Sequence, residues 1–346
     1  MKKLLIILTV LSTTFLSAQE ADSTEVGTME KIKKNFSFSG SVDAYFRQNL
    51  NAPNGGENSQ APNTSFANLN GFALGMVNTI ISYEGEKVGA VADLVFGPRG
   101  ADAVFLSEPS ANIVNQLYVY WNVSDKLTLT FGNFNTFLGY EVISPVPNFN
   151  YSTSYMFSYG PFSHTGIKAD YAISDKWSAM VAFMNDNDWT EYNPTNNYTF
   201  GAQLGYDGTY LNFLFGPQFQ IDLTTGFDLS ETFFLGLNST YYDDDFGSFY
   251  GVALYPQLQA TDNFAIGLRG EYFAETDGGV GAIGGYNEDG DGSVFAFTLT
   301  GSYTVGDLII KPEFRLDSTS EDTFLDRDLD PTSSLSSFLV AAIYKF

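Results

Sequence analysis

Cysteine is absent from the 346 residues. An exported chain without it has no disulfides, no thiolate nucleophile and no thiolate metal ligand, so packing and backbone hydrogen bonds alone hold the fold. Basic residues are scarce: 16 Lys and Arg stand against 40 Asp and Glu, for a formal net charge of −24. A field of that sign repels phosphate polymers and gathers counter-cations, which argues against nucleic acid and for inorganic cations or cationic solutes. Long apolar runs are missing as well. A helix needs about 20 apolar residues to cross a bilayer, and no stretch reaches that length, so a helical membrane protein is excluded.

The longest apolar run is residues 4 to 11, behind Lys2 and Lys3 and ahead of the small residues Ser17 and Ala18. That is the build of a secretory signal peptide, with release expected before Gln19. Residues 1–18 carry no acid, so the exported chain is more acidic still. The domain plan is therefore a signal peptide (1–18), a periplasmic tether (19–35) and one further domain (36–346).

What is abundant is aromatic and glycine residues, with 32 Phe, 21 Tyr and 33 Gly, at a mean hydropathy of −0.07. Strands that alternate apolar and polar residues average to such a value. Between residues 308 and 317, Leu308, Ile310, Phe314 and Leu316 alternate with Ile309, Lys311, Glu313, Arg315 and Asp317. Likewise Phe219, Ile221, Leu223 and Phe227 alternate with Gln220, Asp222, Thr224 and Asp228. A period of two places one set on each face of a strand.

Short polar turns recur at Ser124-Asp125-Lys126, Ser174-Asp175-Lys176, Asp207-Gly208, Ser230-Glu231, Thr261-Asp262-Asn263 and Gly306-Asp307. They alternate with longer polar connections near 49–66, 98–111, 138–161, 189–197, 244–248, 277–292 and 320–334. Short turns at one end and long loops at the other predict a transmembrane antiparallel up-and-down β-barrel, with periplasmic turns and extracellular loops. Segments starting near 36, 67, 88, 112, 127, 163, 177, 198, 209, 219, 232, 249, 263, 293, 308 and 335 give about 16 strands. Losing the hairpin at Gly216-Pro217-Gln218 would give 14. Trp121, Phe131, Phe137, Tyr241, Tyr272 and Tyr303 are expected in an interfacial aromatic girdle. A soluble sandwich is the competing use of such strands. Phe338, Val340, Ala342, Tyr344 and Phe346 share the face of a final strand that ends the chain on an aromatic ring, as in the C-terminal insertion signal read by the barrel-insertion machinery.

The run Leu129-Thr130-Phe131-Gly132-Asn133-Phe134, then Gly139-Tyr140-Glu141, Asn148, Tyr151-Ser152-Thr153-Ser154-Tyr155, Pro161-Phe162-Ser163-His164-Thr165-Gly166 and Ser174-Asp175-Lys176-Trp177, resembles the OmpL-like β-barrel porins of Gram-negative envelopes. The likeness covers about residues 128 to 190, and Asp186 stands where the pattern has glycine. It implies a porin-like barrel in the outer membrane and implies no substrate.

Candidate chemistry is thin. His164 is the single histidine, and the adjoining Ser163 faces the opposite way on a strand, so the two do not pair as base and nucleophile. Asn287, Asp289 and Asp291 open like a calcium loop, but Thr298 stands where a bidentate Glu is needed. The series Asp326, Asp328 and Asp330 fails similarly, with Pro331 and Ser337 at the decisive places. No enzymatic activity, resident metal or cofactor is expected, and weak divalent-cation binding by these loops or by Asp243, Asp244 and Asp245 stays open.

The polar faces supply pore-lining candidates: Asp43, Arg47, Asp93, His164, Lys168, Asp170, Asp222, Arg269, Glu271, Lys311, Glu313, Arg315 and Asp317. A basic residue facing lipid near midplane costs about 2–4 kcal/mol, so their common placement argues for a hydrated interior. The same residues in a salt-bridged plug leave no path. The connection 138–161 carries Glu141, Phe149, Tyr151, Tyr155, Phe157 and Tyr159, and is expected to fold inward as a constriction. An outer-rim packing uses the same rings equally well. The expected function is passive diffusion of small hydrophilic solutes, cation-preferring, across outer-membrane lipid. The alternatives are a plugged barrel with a structural or adhesive role and a barrel hydrolase, and oligomerisation is left open.

Overall fold

The computed structural model describes residues 34–346. The expected signal peptide and nearly all of the expected tether lie outside the described residues.

Sixteen antiparallel strands close on themselves. In chain order these are β1 (Phe36–Asn49), β2 (Gly71–Glu84), β3 (Val88–Phe96), β4 (Val114–Ser124), β5 (Leu127–Asn135), β6 (Ser163–Ala172), β7 (Trp177–Asn185) and β8 (Tyr198–Tyr206). They continue as β9 (Thr209–Phe215), β10 (Phe219–Asp228), β11 (Phe233–Asp243), β12 (Ser248–Thr261), β13 (Phe264–Thr276), β14 (Gly292–Val305) and β15 (Leu308–Thr319). The last connection holds a two-residue ribbon, β16 (Phe324–Leu325) with β17 (Pro331–Thr332), before β18 (Ser334–Lys345). Each barrel strand pairs with the next barrel strand along the chain, β15 with β18 across the ribbon, and β18 returns to β1, so the barrel has no unpaired edge. The closure ends in a reciprocal backbone pair, Gly40 N–H to Phe346 O and Phe346 N–H to Gly40 O, both 3.0 Å.

The hairpin at 216–218 is present, with the Gly216 amide bonded to the Gln218 carbonyl, so the count is sixteen and not fourteen. The second strand begins at Gly71 and not near 67. Phe66 and Ala67 adopt left-handed φ values of 67° and 58° and are buried, so the apolar residues there pack under loops and extend no ladder.

The lipid-facing surface follows from the pleat. Phe72, Leu74, Phe131, Val181 and Phe295 are exposed, Phe72 at 91%. Ring pairs form near both ends: Trp177–Tyr206 and Phe36–Tyr83 by the short turns, Phe183–Tyr198 and Tyr272–Phe295 by the long loops. Phe137 is a correction. It lies past the end of β5 with its ring against Gly201 of β8, packed with the buried interior cluster of Phe134, Leu138, Met180 and Met184. An aromatic beside a strand end carries no sign of which face it serves once the period of two stops.

Two short helices belong to the loops: α1 (Pro98–Ala103) and α2 (Tyr155–Tyr159). The second lies within the connection 136–162 and packs against β12 and β13.

Candidate functional site: the barrel interior

The connection between β5 and β6 turns into the barrel, and the charged residues of β13 and β15 hold it there. On β13 the pleat points Arg269 and Glu271 inward; on β15 it points Lys311, Glu313, Arg315 and Asp317 inward. All six are 3% exposed or less. A segment of irregular backbone inside a barrel brings N–H and C=O groups that require partners, and these side chains supply them.

The pairing is specific. Glu313 accepts from the amides of Tyr151 (2.9 Å) and Ser152 (3.2 Å) and from Thr300 Oγ1 (2.9 Å). Glu271 accepts from the amides of Tyr155 and Met156, both 2.9 Å, which are free N–H groups of the first turn of α2. Arg269 donates to Ser152 O (2.6 Å) and to Glu141 (2.7 Å). The other oxygen of Glu141 accepts from the amide and hydroxyl of Ser154 at 2.7 and 2.6 Å. Arg315 forks onto Asp317 and reaches Thr153 O at 2.8 Å, while Lys311 donates to Pro145 O (3.0 Å) and Asn148 O. These charges are covered by the loop and make charge-assisted bonds to it.

Six of the remaining candidates fall into three groups. Asp43 takes the Tyr151 hydroxyl and the Met76 amide (3.1 Å), and Asp222 takes the Gly139 amide (3.0 Å) with Asn212 and Asn238, so both hold the same loop. Arg47 reaches Gln60 O and Asn70 in the connection after β1, and Asp93 gathers Asn78, Asn115 and Gln116. Lys168 and Asp170 form a 2.7 Å ion pair on the inner face of β6 and stay accessible, with side chains 24% and 42% exposed.

His164 is wholly buried, with Nε2 3.0 Å from Thr136 Oγ1 and the rings of Phe134 and Phe137 packed near it, with centroids 6.2 and 5.3 Å away. Ser163 belongs to the other face of β6, where Asn133 Nδ2 donates to its hydroxyl at 3.3 Å. The two side chains do not meet. Asn287 Oδ1 accepts from the amides of Asp289 and Asp291, and Asp326 Oδ1 from those of Asp328 and Asp330, so each series spends its first side chain on its own turn.

Among the aromatic loop residues, Tyr151, Tyr155 and Phe157 are buried and Tyr159 packs on Phe273 while donating to Asn63 O at 2.9 Å. Other side chains of the same connection sit over glycines on inward strand positions. A methyl group at Gly236 would collide with the Tyr140 ring, at Gly251 with Met156, at Gly267 with Phe149 and at Gly201 with Phe137. Four strands thus omit a side chain where the loop lays one down. The composition carried this as inward glycines within otherwise regular strands, a known sign of close approach.

Two anchors had no such signal. Arg99, in α1, donates to Ile143 O (2.8 Å) and Tyr151 O (3.1 Å) with its guanidinium 4.4 Å over the Phe66 ring. Glu275, at the end of β13, accepts from the amides of Val280, Ala282 and Ile283 at 2.7–2.9 Å and organises its own loop.

The architecture recurs among solved outer-membrane proteins. The outer membrane channel DcaP of Acinetobacter baumannii aligns at TM-score 0.55 and 13% identity, over 90% of this chain and 97% of that one. OmpT of Vibrio cholerae, in a trimer form, aligns at 0.54 and 10%, over 90% and 99%. A mutant of the Rh. blastica porin aligns at 0.52 and 11%, over 90% and 100%. These identities establish a shared fold alone. No curated protein matches the chain. The family described as "Putative beta-barrel porin-2, OmpL-like" matches residues 35–346, the whole barrel from β1 to Phe346, and the chain belongs to that family.

Proposed function

We propose that this protein is an outer-membrane porin through which small hydrophilic solutes diffuse, with a preference for cations. Family membership supports a channel role. The observation that carries the reading is the asymmetry of the inner wall. Along β13, β14, β15, β18 and β1 the inward side chains at the level of the loop are buried, whereas on β4 and β6 Gln116, Tyr118, Lys168 and Asp170 keep part of their surface accessible. An aqueous path along β4 and the Lys168–Asp170 stretch of β6, past the buried Phe134 and His164, is consistent with both facts, with the loop from 138 to 161 as its constriction and Glu141, Phe149, Tyr151, Tyr155, Phe157 and Tyr159 as its packing.

Cation preference follows from which charges remain available. Arg47, Arg269, Lys311 and Arg315 are 0–3% exposed and committed to carbonyls and carboxylates. The candidate acids Asp43, Asp93, Asp222, Glu271, Glu313 and Asp317 are buried as well, so the accessible inward charges among the candidates are the Lys168–Asp170 pair, in which Asp170 is the more exposed partner, within a chain of net charge −24. Loop charge acts only within the screening length of about 8 Å at physiological salt, so selectivity belongs to the path and less to the mouth.

Planar-bilayer recording of the chain lacking residues 1–18 under a KCl gradient tests this reading. Stable steps with a reversal potential on the potassium side are expected, and an anion-selective reversal refutes the preference. The burial of so many inward charges favours a second reading, a barrel plugged by its own loop with a structural role in the envelope. Reproducible silence from folded protein selects it.

A further inference from the structure

At the short-turn end a cavity of about 190 Å³ opens on the inner wall of β10–β13. One rung of the sheet builds it. Asp228 pairs with Phe234, Phe234 with Gln257, and Gln257 with Gly267, so four adjacent strands present a carboxylate, a ring, an amide and a glycine side by side. Gly267 is the seat of Phe149, which brings a second ring to the same cavity from the inner loop. Glu231, in the turn after β10, adds a second carboxylate.

The polar groups of this cavity are mostly acceptors. Gln259 donates its amide hydrogens to Thr261 O and Phe264 O, carbonyls that fix which end is nitrogen, so its oxygen is the end left over. Gln257 donates to the Tyr140 hydroxyl at 3.3 Å. Ser230 Oγ is engaged by the amides of Thr232 and Phe233. Neither Asp228 nor Glu231 forms an ion pair among the described residues. Two ring walls, two unpaired carboxylates and amide oxygens complement a ligand with an apolar body and a positively charged donor head.

We propose that this cavity is a binding subsite for small organic ammonium ions at the periplasmic mouth of the barrel, an inference that rests on the cation-preferring reading above. The ammonium head lies toward Asp228 and Glu231 and the alkyl body lies between Phe149 and Phe234. A carboxylate of the same size is repelled, and an alcohol lacks the charge.

Isothermal titration calorimetry of the refolded chain lacking residues 1–18, in detergent at low salt, tests it with n-butylammonium, butyrate and 1-butanol as probes. Saturable binding of butylammonium alone is expected, weakened at least tenfold in the double variant Asp228→Asn/Glu231→Gln and several-fold in Phe234→Leu. Both variants are checked for folding by heat-modifiable gel migration. Equal binding of butanol, unchanged affinity in the double variant, or no butylammonium binding by folded wild type overturns the subsite. Calorimetry reads binding whether or not ions cross, so bilayer silence with amine binding intact removes the channel reading alone, and conductance without amine binding removes the subsite alone.

Discussion

Arg269 and Glu141 are 128 residues apart in sequence and 2.7 Å apart in space, with both side chains buried. A buried pair of this kind contributes little net energy over an apolar replacement, but removing one partner strands the other and costs about 3–5 kcal/mol. Its consequence is positional: the pair fixes the inner loop to β13.

Arg269→Ala therefore releases the loop while the barrel persists. Chymotrypsin, presented to the protein in detergent, should cut among Tyr151, Tyr155 and Phe157 in this variant and spare the wild type. The double variant Glu141→Gln/Arg269→Met should regain resistance, since neither charge is left alone. Equal cleavage of wild type and Arg269→Ala would mean that the pair does not hold the loop.

The glycine seats predict a steric cost without any change of charge. Gly236→Ala and Gly267→Ala place a methyl group against the Tyr140 and Phe149 rings, an overpacking worth about 1–3 kcal/mol each. Gly55→Ala, where nothing lies within 4 Å, is the control. Thermal unfolding followed by gel migration should show lower midpoints for the first two alone.

Asp188 gives a pH dependence of defined sign. Its Oδ1 accepts from the amides of Phe162 (2.7 Å) and Ser163 (3.0 Å), where the inner loop rejoins β6. Burial pushes its carboxyl up from 3.8 to about 7, against the lowering effect of those two bonds and with a small further rise from Asp186. A carboxyl raised in the folded state binds its proton more tightly there than in the unfolded chain. Stability from this group is therefore greatest below about 4 and is lost as pH rises toward and through about 7. Asp188→Asn should remove that slope from unfolding midpoints measured between pH 4 and 8, and a slope identical to wild type would contradict the assignment.

Lys168 and Asp170 should act on selectivity with opposite signs. In reversal-potential measurements Asp170→Asn lowers the preference for potassium and Lys168→Gln raises it. Shifts in the same direction, or none, would place the ion path away from β6.

Much of the fold was legible from local pattern. The period of two set the inward faces of β13 and β15, and turn chemistry marked the hairpins, with the three-residue connection at 216–218 the one that left fourteen strands open. What the period does not encode is what stands opposite an inward side chain. Glu313 meets Tyr151 across 162 residues and Lys311 meets Pro145 across 166, and no spacing within either segment distinguishes water from a folded loop as partner. Arg99 was hidden for another reason: it lies in a six-residue helix within a connection, where neither period applies. The inward glycines were the available clue, because a strand rarely gives up a side chain on a polar wall without something approaching closely.

The most direct test of the account compares single-channel conductance of the wild type with a variant lacking residues 144–155, both without residues 1–18, in the same bilayers and salt. The deletion removes the segment held by Glu313, Lys311 and Arg315 and should raise conductance severalfold while leaving the barrel folded. An unchanged conductance in a folded variant would contradict the claim that this loop sets the path.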